Sequence, residues 1–301
     1  MECLLDRVKK GEVIVADGAM GSLLMAKVKD DLNGKCPEFI NLFHPEVLEE
    51  VARLYLDAGA EIIQTNTFGG SSLRLSDYGL QDDMESINRA AVEAVKRVVN
   101  GNAYVSASCG PSGKMLQPYG IFSPEQMYDN FYRQLKVLIE TGADIICVET
   151  MTDIQEATLA VKAARDLSAT IPIMATMTFD LKPRGFYTMM GVSIEKAARE
   201  LEAAGANIIG SNCGNGMENM IKIAAEFRKF TTLPLIIQSN AGLPEIKETA
   251  AVYPETPQFM AEKSKELIAL GVSVIGGCCG TTPEHIHAIS IAVRDSNRSS
   301  K

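Results

Sequence analysis

Gly59-Ala60-Glu61-Ile62-Ile63 is the first of four related stretches in this chain. The other three are Gly142-Ala143-Asp144-Ile145-Ile146, Gly205-Ala206-Asn207-Ile208-Ile209 and the looser Gly271-Val272-Ser273-Val274-Ile275. Each glycine follows a stretch of helical periodicity and precedes an apolar run, which is typical of a helix that ends at a left-handed glycine before a buried strand. The glycines are 83, 63 and 66 positions apart, a spacing that fits two strand–helix units per repeat.

Other apolar runs lie before and between the repeats, at residues 13–16, 104–107, 173–176 and 235–237, and bring the number of strand candidates to eight. The intervening segments have helical periodicity, at residues 45–58, 85–99, 123–140, 154–167, 193–204, 217–230, 256–270 and 283–293. This alternation predicts the α/β class and a single (β/α)8 TIM barrel, in one domain over residues 1–301 with a frayed tail at 295–301. The alternative is an open doubly wound sheet, but the turn at residues 17–21 has the wrong glycine spacing for a dinucleotide-binding turn.

The composition is that of an ordinary globular protein with a sizeable core. Of the 301 residues, 46% are hydrophobic and 22% are charged, and the net charge is −9 without any block of basic residues. This balance argues against nucleic acids and anionic membrane surfaces as partners. The seven cysteines are scattered, and the N-terminus lacks the pattern of a signal peptide. We therefore expect a reduced, cytoplasmic setting in which thiols serve metal binding or catalysis.

The repeat also aligns the ends of the even-numbered strands. Eight residues after the repeat glycines come Thr67, Thr150, Cys213 and Cys279. Because a TIM barrel carries its chemistry at the carboxyl ends of its strands, this register brings Cys213 together with Cys278 and Cys279 at the barrel mouth. Three thiolates can hold a soft divalent metal and leave one coordination position open. The alternatives are buried apolar cysteines, a strained disulfide between neighbours, or a closed structural zinc, for which no CxxC or HxxxH motif supplies a fourth ligand.

Further polar residues lie at the predicted mouth. The turn at residues 17–21 is either a tight turn or a nest of backbone N–H groups suited to a carboxylate. Glu149, at the end of the fourth strand, is an acid at an unusual depth, and it or Asp17 could receive an ammonium group. Asn240, after the seventh strand, is either a turn residue or a weak oxygen ligand beside the cysteines. No lysine lies in any strand candidate, which weakens a Schiff-base mechanism.

These residues lie in motifs that resemble those of the homocysteine S-methyltransferase family, a zinc-dependent barrel found alone or as the first module of cobalamin-dependent methionine synthase. The motifs follow the family order over nearly the whole chain: Asp17-Gly18-Ala19-Met20-Gly21, Thr65-Asn66-Thr67-Phe68-Gly69, Glu149-Thr150, Met177-Thr178-Phe179, Asn212-Cys213, Asn240-Ala241-Gly242-Leu243-Pro244 and Gly276-Gly277-Cys278-Cys279-Gly280-Thr281. The paired-cysteine motif is specific, and the motif that starts at Asn240 is closer to the methionine-synthase branch than to the betaine branch. One departure is Gln238-Ser239, where the family pattern suggests proline at the second position.

The resemblance implies a role for each matching residue. Cys213, Cys278 and Cys279 are implied as zinc ligands, with Asn240 as a weak fourth. The other implied residues bind the substrate: backbone amides of Gly18, Ala19 and Met20 for its carboxylate, Asp17 and Glu149 for its amino group, and Asn66 in the same pocket.

The implied activity is the transfer of an activated methyl group to the thiol of L-homocysteine, giving methionine. A zinc-bound thiol is deprotonated at neutral pH, and three cysteine thiolates leave the site with an excess negative charge that keeps the bound sulfur nucleophilic. The first choice of donor is a methyl-corrinoid, such as methylcobalamin, carried by a separate protein, followed by S-methylmethionine or S-adenosylmethionine and then betaine. Selenocysteine is an alternative acceptor. A non-catalytic zinc-thiolate scaffold subunit of a corrinoid assembly is the alternative outside enzymes, but it would not need acids at the barrel mouth.

Overall fold

Eight parallel strands form the centre of the protein in a computed structural model, which describes residues 1–28, 32, 34–247 and 250–299. The strands are β1 (Ile14–Val15), β2 (Ile62–Gln64), β3 (Tyr104–Cys109), β4 (Ile145–Met151), β5 (Ile173–Met177), β6 (Ile208–Asn212), β7 (Leu235–Ser239) and β8 (Val272–Gly277). From β2 to β8 each strand pairs with the next one in sequence, and β8 pairs with β1. The sheet closes between β1 and β2, where Ala16 forms a bridge with Ile62 and the Asp17 N–H donates to the Ile62 carbonyl at 3.0 Å. The predicted (β/α)8 TIM barrel and all eight strand candidates are confirmed.

A long helix follows each strand on the outside of the barrel. These helices are α1 (Pro45–Asp57), α2 (Met84–Val99), α3 (Pro124–Glu140), α4 (Ile154–Leu167), α5 (Ile194–Ala204), α6 (Met217–Phe227), α7 (Pro257–Ala269) and α8 (Pro283–Ser299). Shorter helices lie at Leu4–Lys9, Met20–Val28, Ile40–Phe43 and Ser72–Leu75, with 3-10 turns at Pro37–Phe39, Ser76–Tyr78 and Gln81–Asp83. None of the helices in the described part of the chain combines the length and apolar character that crossing a membrane requires.

The four repeat glycines end helices as their positions predict. The φ angles of Gly59, Gly142, Gly205 and Gly271 are 97°, 94°, 104° and 74°, all in the region that L-residues with a side chain avoid. In three copies the next strand begins three residues after the glycine, at Ile62, Ile145 and Ile208, so residues of these strands can be aligned by counting from the glycine.

The end of the chain differs from the expectation. Helix α8 continues to Ser299, so residues 295–299 are helical where a frayed tail is predicted. The side chain of Asn297 accounts for the difference, because it accepts a hydrogen bond from the Val13 N–H at 3.1 Å and donates one to the Val13 carbonyl at 2.9 Å. These bonds tie the last helix to the start of the barrel. Residues 300–301 lie outside the described residues.

The barrel interior is apolar at its amino-terminal end and polar at its carboxyl-terminal end. The apolar part is formed by strand residues such as Ile14, Ile62 and Ile236 and is covered by the short helix Leu4–Lys9, of which Leu4 and Val8 are buried. A larger apolar layer fills the space between the strands and the outer helices. The barrel is thus a packed core, and the space for a ligand lies at its carboxyl end.

The connections at the carboxyl end differ in length. Those after β4, β6 and β8 are short, at residues 152–153, 213–216 and 278–282, whereas those after β1, β2, β3, β5 and β7 are long. Two of the long connections contain antiparallel hairpins that the sequence analysis does not predict: Asp180–Lys182 with Gly185–Tyr187, and Glu245–Lys247 with Ala250–Val252. The short connections after β6 and β8 carry the predicted cysteines.

Candidate metal centre and substrate pocket

The cysteines predicted to converge do so. The ligand atoms of Cys213, Cys278 and Cys279 all lie within 4.8 Å of one another, and the Cys213 and Cys279 sulfur atoms are 3.7 Å apart. A tetrahedral zinc ion with Zn–S bonds of about 2.3 Å separates two ligand sulfurs by roughly 3.8 Å. All seven cysteines are free thiols, and the sulfur spacing is too long for a disulfide bond. The donor set and its spacing therefore fit one soft metal ion.

Strand β7 fixes the spacing between the two cysteine-bearing segments. Its Gln238 carbonyl accepts the Cys213 N–H at 3.1 Å, and its Ser239 carbonyl accepts the Cys278 N–H at 2.7 Å. Cys213 also has a φ of 60°, a left-handed conformation that costs a residue with a side chain on the order of 1 kcal/mol. The Gln238 bond and the following Gly214, with a φ of 73°, hold Cys213 in this conformation.

The three thiols cannot all ionise in this space without a cation. Interaction with Cys213 and Cys279, together with burial, holds the pKa of Cys278 well above its usual value. The pKa of Cys279 is lowered in turn, because the Cys213 and Cys278 thiols act as its hydrogen-bond partners. Two thiols thus keep their protons and stabilise one thiolate. A divalent cation would remove this constraint, since it favours the deprotonated form of every sulfur that it contacts.

The cysteines open onto a cavity of about 260 Å3 at the barrel mouth. Its lining consists of the turn after β1, polar residues at strand ends and the two acids Glu38 and Glu149. The full set of lining residues is 18–22, Pro37, Glu38, Gln64, Thr65, Asn66, Phe68, Ser108, Glu149, Thr150, Cys213, Gln238, Gly277, Cys278 and Cys279. The lining described here includes no lysine, arginine or histidine. The cavity therefore favours a ligand that carries positive charge.

Glu149 lines this cavity, and Asp17 lies fully buried beside it. Glu149 accepts hydrogen bonds from the Ser108 hydroxyl and from Asn212 Nδ2 at 3.2 Å. Burial raises the pKa of Glu149 to about 7, against the effect of Ser108. Burial also raises the pKa of Asp17 to about 8, against the bond that its Oδ2 accepts from the Gln64 N–H at 2.7 Å, and the nearby Glu149 raises it further. Asp17 is not among the residues that line the cavity, but its Oδ1 is buried without a hydrogen-bond partner among the described residues and could accept a bond from a cationic donor.

The turn after β1 supplies backbone N–H groups to the cavity. Gly18 fits only without a side chain, because a Cβ atom there would lie 2.6 Å from the Thr281 hydroxyl and 2.9 Å from the Tyr55 ring. The Ala19 N–H donates to the same Thr281 hydroxyl at 3.1 Å and is therefore already used. The N–H groups of Gly18 and Met20, at the start of helix Met20–Val28, remain the predicted carboxylate donors.

Asn66 also lines the cavity, but its side chain holds another segment in place. Its Nδ2 donates to the Pro37 carbonyl at 2.9 Å and to Asn41 Oδ1 at 2.8 Å. Because Nδ2 is used in this way, a contact of Asn66 with a substrate would have to be made by its side-chain oxygen. This contact stays a prediction.

Two residues at the end of β7 keep buried oxygen atoms without a hydrogen-bond partner among the described residues, Gln238 Oε1 and Asn240 Oδ1. Gln238 lines the cavity, whereas Asn240 is not among its lining residues. The Asn240 N–H donates to the Asn215 carbonyl at 3.0 Å, so its backbone is tied to the segment that follows Cys213. Asn240 as a weak fourth ligand stays a prediction, and its unpaired oxygen is compatible with that role.

Two residues near the site, Glu38 and Tyr253, are not predicted from the sequence. Glu38 is a second acid of the cavity wall, and its carboxylate accepts the Gly69 N–H at 2.6 Å. Tyr253 lies against the Cys279 segment, because a Cβ atom at Gly280 would meet its ring at 2.1 Å. Both belong to long connections without helical or strand periodicity, so the preceding Cys36-Pro37 and the following Pro254 are the only local signals.

The raised pKa of Glu149 predicts how stability changes with pH. Between about pH 5 and 8 the native state of the metal-free protein retains a proton that the unfolded chain, with a glutamate pKa of about 4.3, has released. The free energy of unfolding should therefore fall as the pH rises. Glu149→Gln should make this fall smaller by on the order of 2 kcal/mol, with the remainder due to Asp17.

Urea unfolding in the presence of a chelator, repeated across this pH range, measures the effect. Glu85→Gln, which changes an exposed acid on α2, is the matched control and should retain the wild-type slope. A wild-type slope in Glu149→Gln would show that this carboxyl group is not the one that titrates.

Comparisons with known proteins agree with the fold and show the family of this chain. Residues 14–293 match the sequence profile described as Homocysteine S-methyltransferase. The methionine synthase of Mycobacterium tuberculosis is 33% identical over 310 aligned residues, which cover 98% of this chain and 26% of the relative. That of Mycobacterium leprae is 32% identical over 300 aligned residues, which cover 95% of this chain and 24% of the relative. The chain thus spans about a quarter of the length of these relatives.

Solved structures show the same fold at lower identity. The metallated form of the homocysteine methyltransferase MmuM from Escherichia coli has a TM-score of 0.77 and 21% identity, and the match covers 95% of this chain and 98% of that one. Its oxidised form has a TM-score of 0.75 and 22% identity, with 96% and 99% covered. The profile match over residues 14–293 and the identity to the two methionine synthases show that this chain belongs to the homocysteine S-methyltransferase family.

Proposed function

We propose that this chain transfers an activated methyl group to the thiol of L-homocysteine, giving methionine, with zinc held by Cys213, Cys278 and Cys279. The observation that carries the proposal is that these cysteines and Glu149 line one cavity together with residues 18–22 of the turn after β1. An amino acid held there by its charged ends has its side chain next to the sulfur atoms. A thiol side chain is the one that a three-thiolate metal site with an open position would accept.

The residues of the chain bind and orient the substrate. Glu149 and Asp17 accept hydrogen bonds from its ammonium group, and the N–H groups of Gly18 and Met20 bind its carboxylate. When bound, zinc would keep the substrate thiol deprotonated at neutral pH. The three cysteine thiolates contribute more negative charge than one divalent ion neutralises, so the substrate sulfur stays electron-rich. Its electron pair forms the new S–C bond while the bond between the methyl carbon and the donor breaks, and that pair leaves with the donor.

The donor that we favour is a methyl-corrinoid carried by a separate protein. Support comes from the rim of the mouth, where the long connections after β3, β5 and β7 expose large apolar side chains: Met115, Tyr119, Ile121, Leu181, Met189 and Leu243. Exposed apolar groups gathered on one face of a domain suit the docking of a macromolecule. A methyl group on cobalt also needs no general acid for its transfer.

The acids of the cavity wall favour a second class of methyl donor, one that carries positive charge. The cavity wall contains Glu38 and Glu149, and its described lining lacks a cationic side chain. A sulfonium donor, S-methylmethionine or S-adenosylmethionine, would be attracted by this wall, and betaine follows as a quaternary ammonium. The acceptor can be tested in parallel, because selenocysteine presents the same amino-acid ends.

The metal assignment predicts about one zinc per chain, lost when one ligand is removed. In Cys278→Ala we expect little bound zinc, because the two remaining sulfurs, of Cys213 and Cys279, bind the ion only weakly. Cys36→Ala is the matched control, since Cys36 is a buried thiol outside the cluster. Zinc content after dialysis, measured by mass spectrometry, decides the question, and full metal content in Cys278→Ala would refute the ligand assignment.

The donor is identified by a screen with homocysteine and methylcobalamin, S-methylmethionine, S-adenosylmethionine or betaine, followed by measurement of methionine. We expect methionine with the methyl-corrinoid. If methionine forms only with a sulfonium compound, the second donor class replaces the first in the proposal. Zinc binding without homocysteine binding, and without methionine from any donor, would favour the scaffold subunit instead.

A further inference from the structure

Thr281 lies between the turn after β1 and the cysteine pair, and it bonds to both. Its hydroxyl donates to the Cys278 carbonyl at 2.8 Å and accepts the Ala19 N–H at 3.1 Å. Its own N–H donates to the same Cys278 carbonyl at 3.1 Å, so a tight turn fixes the hydroxyl relative to Cys278. Thr281 is 1% exposed and is not among the residues that line the cavity, so it can act on a ligand only through its neighbours.

Two glycines let the backbones approach closely enough for these bonds. A Cβ atom at Gly18 would lie 2.6 Å from the Thr281 hydroxyl, and one at Gly277 would lie 2.8 Å from the Thr281 Cβ. The Gly277 N–H also donates to the Asp17 carbonyl at 2.8 Å, which extends the pairing of β8 with β1. The Thr281 hydroxyl thus continues the contact between these two segments beyond the ends of their strands.

A second hydroxyl, that of Tyr55 in α1, links the same two segments. The Tyr55 side chain is fully buried. Its hydroxyl, the donor in both contacts, lies 3.1 Å from the Ala19 carbonyl oxygen and 3.4 Å from the Thr281 carbonyl oxygen. Ala19 is therefore held at its N–H by Thr281 and at its carbonyl by Tyr55. These bonds fix the separation between the turn after β1 and the cysteine pair.

We propose that Thr281, supported by Tyr55, is a positioning residue that sets the separation between the carboxylate-binding turn and the metal-binding cysteines, so that both ends of one amino acid are bound at once. The proposal rests on the proposed function, because it requires a ligand that is held by the turn and by the metal together. Such a ligand gains affinity from its second contact only if its length matches the separation of the two sites. A ligand that reaches one of the sites alone does not depend on that separation.

Thr281→Val tests the proposal, because it keeps the shape of the side chain and removes the hydroxyl. In the zinc-loaded protein we expect the affinity for L-homocysteine, measured by calorimetry, to fall about 10-fold, since the buried Ala19 N–H loses its partner and the turn is free to shift. L-α-aminobutyrate carries both charged ends but no sulfur, so its affinity, measured by ligand-detected NMR, should change little. Zinc content should stay at the wild-type level. Tyr55→Phe should have the same selective effect.

Two further variants separate the hydroxyl from the packing of the side chain. Thr281→Ser keeps the hydroxyl and should bind homocysteine nearly as tightly as the wild type. Thr231→Val is the matched control, because Thr231 is a buried threonine in the connection before β7. Its hydroxyl likewise donates one bond and accepts another, to Glu202 Oε2 at 3.1 Å and from the Leu233 N–H at 3.0 Å. Its replacement should leave both affinities unchanged.

Wild-type homocysteine affinity in Thr281→Val would overturn the proposal and leave the proposed function intact. Equal losses for homocysteine and L-α-aminobutyrate would also overturn it, because the hydroxyl would then maintain the turn itself and not its separation from the metal. Loss of zinc from Thr281→Val, or an equal defect in Thr281→Ser, would assign the residue to the local folding of the cysteine segment instead. If the zinc-loaded wild-type protein does not bind homocysteine, the proposed function is wrong, and the role of Thr281 falls with it.

Discussion

The site depends on two backbone hydrogen bonds to β7. The carbonyl groups of Gln238 and Ser239 hold the N–H groups of Cys213 and Cys278 at 3.1 and 2.7 Å, so one strand sets the position of both cysteine-bearing segments. Since β7 lies between β6 and β8 in a parallel sheet, its register decides which side chains reach the mouth. A shift by one residue would turn the cysteines away from each other. The chemistry of the cavity is therefore a consequence of strand register.

Because the connections after β4, β6 and β8 are short, the side chains at these strand ends keep the positions that the strand register sets. Glu149 lies within β4, two residues before its end, and Cys213 and the Cys278-Cys279 pair directly follow β6 and β8. Strand ends of this kind are more rigid than long loops. Thr150 and Cys213 both have a φ of 60°, and such conformations persist only where the surroundings determine them. Strained residues at the ends of neighbouring even-numbered strands are what one expects of a site that must hold several groups in a fixed arrangement before a ligand arrives.

Much of this arrangement can be predicted from the sequence, because a repeat glycine shortly precedes each of β2, β4, β6 and β8 and lets their residues be aligned by counting. That register brings Cys213, Cys278 and Cys279 together, and the structure confirms their convergence. The sequence is less informative in the long connections, where neither hairpin, nor Glu38, nor Tyr253 has a periodic signal. It also does not reveal that the Ala19 N–H is used by Thr281, or that the Asn66 amide is used by Pro37 and Asn41. Such bonds join residues far apart in sequence, so no local sequence pattern predicts them.

The central claim is that three sulfur atoms from two distant segments hold one metal ion and leave a position for a substrate thiol. X-ray absorption at the zinc edge, recorded with and without homocysteine, tests it most directly. The account predicts three sulfur neighbours at about 2.3 Å in the free protein and four when homocysteine is bound. A sulfur count that does not change on addition of saturating homocysteine, or a zinc ion surrounded by nitrogen and oxygen alone, would contradict it.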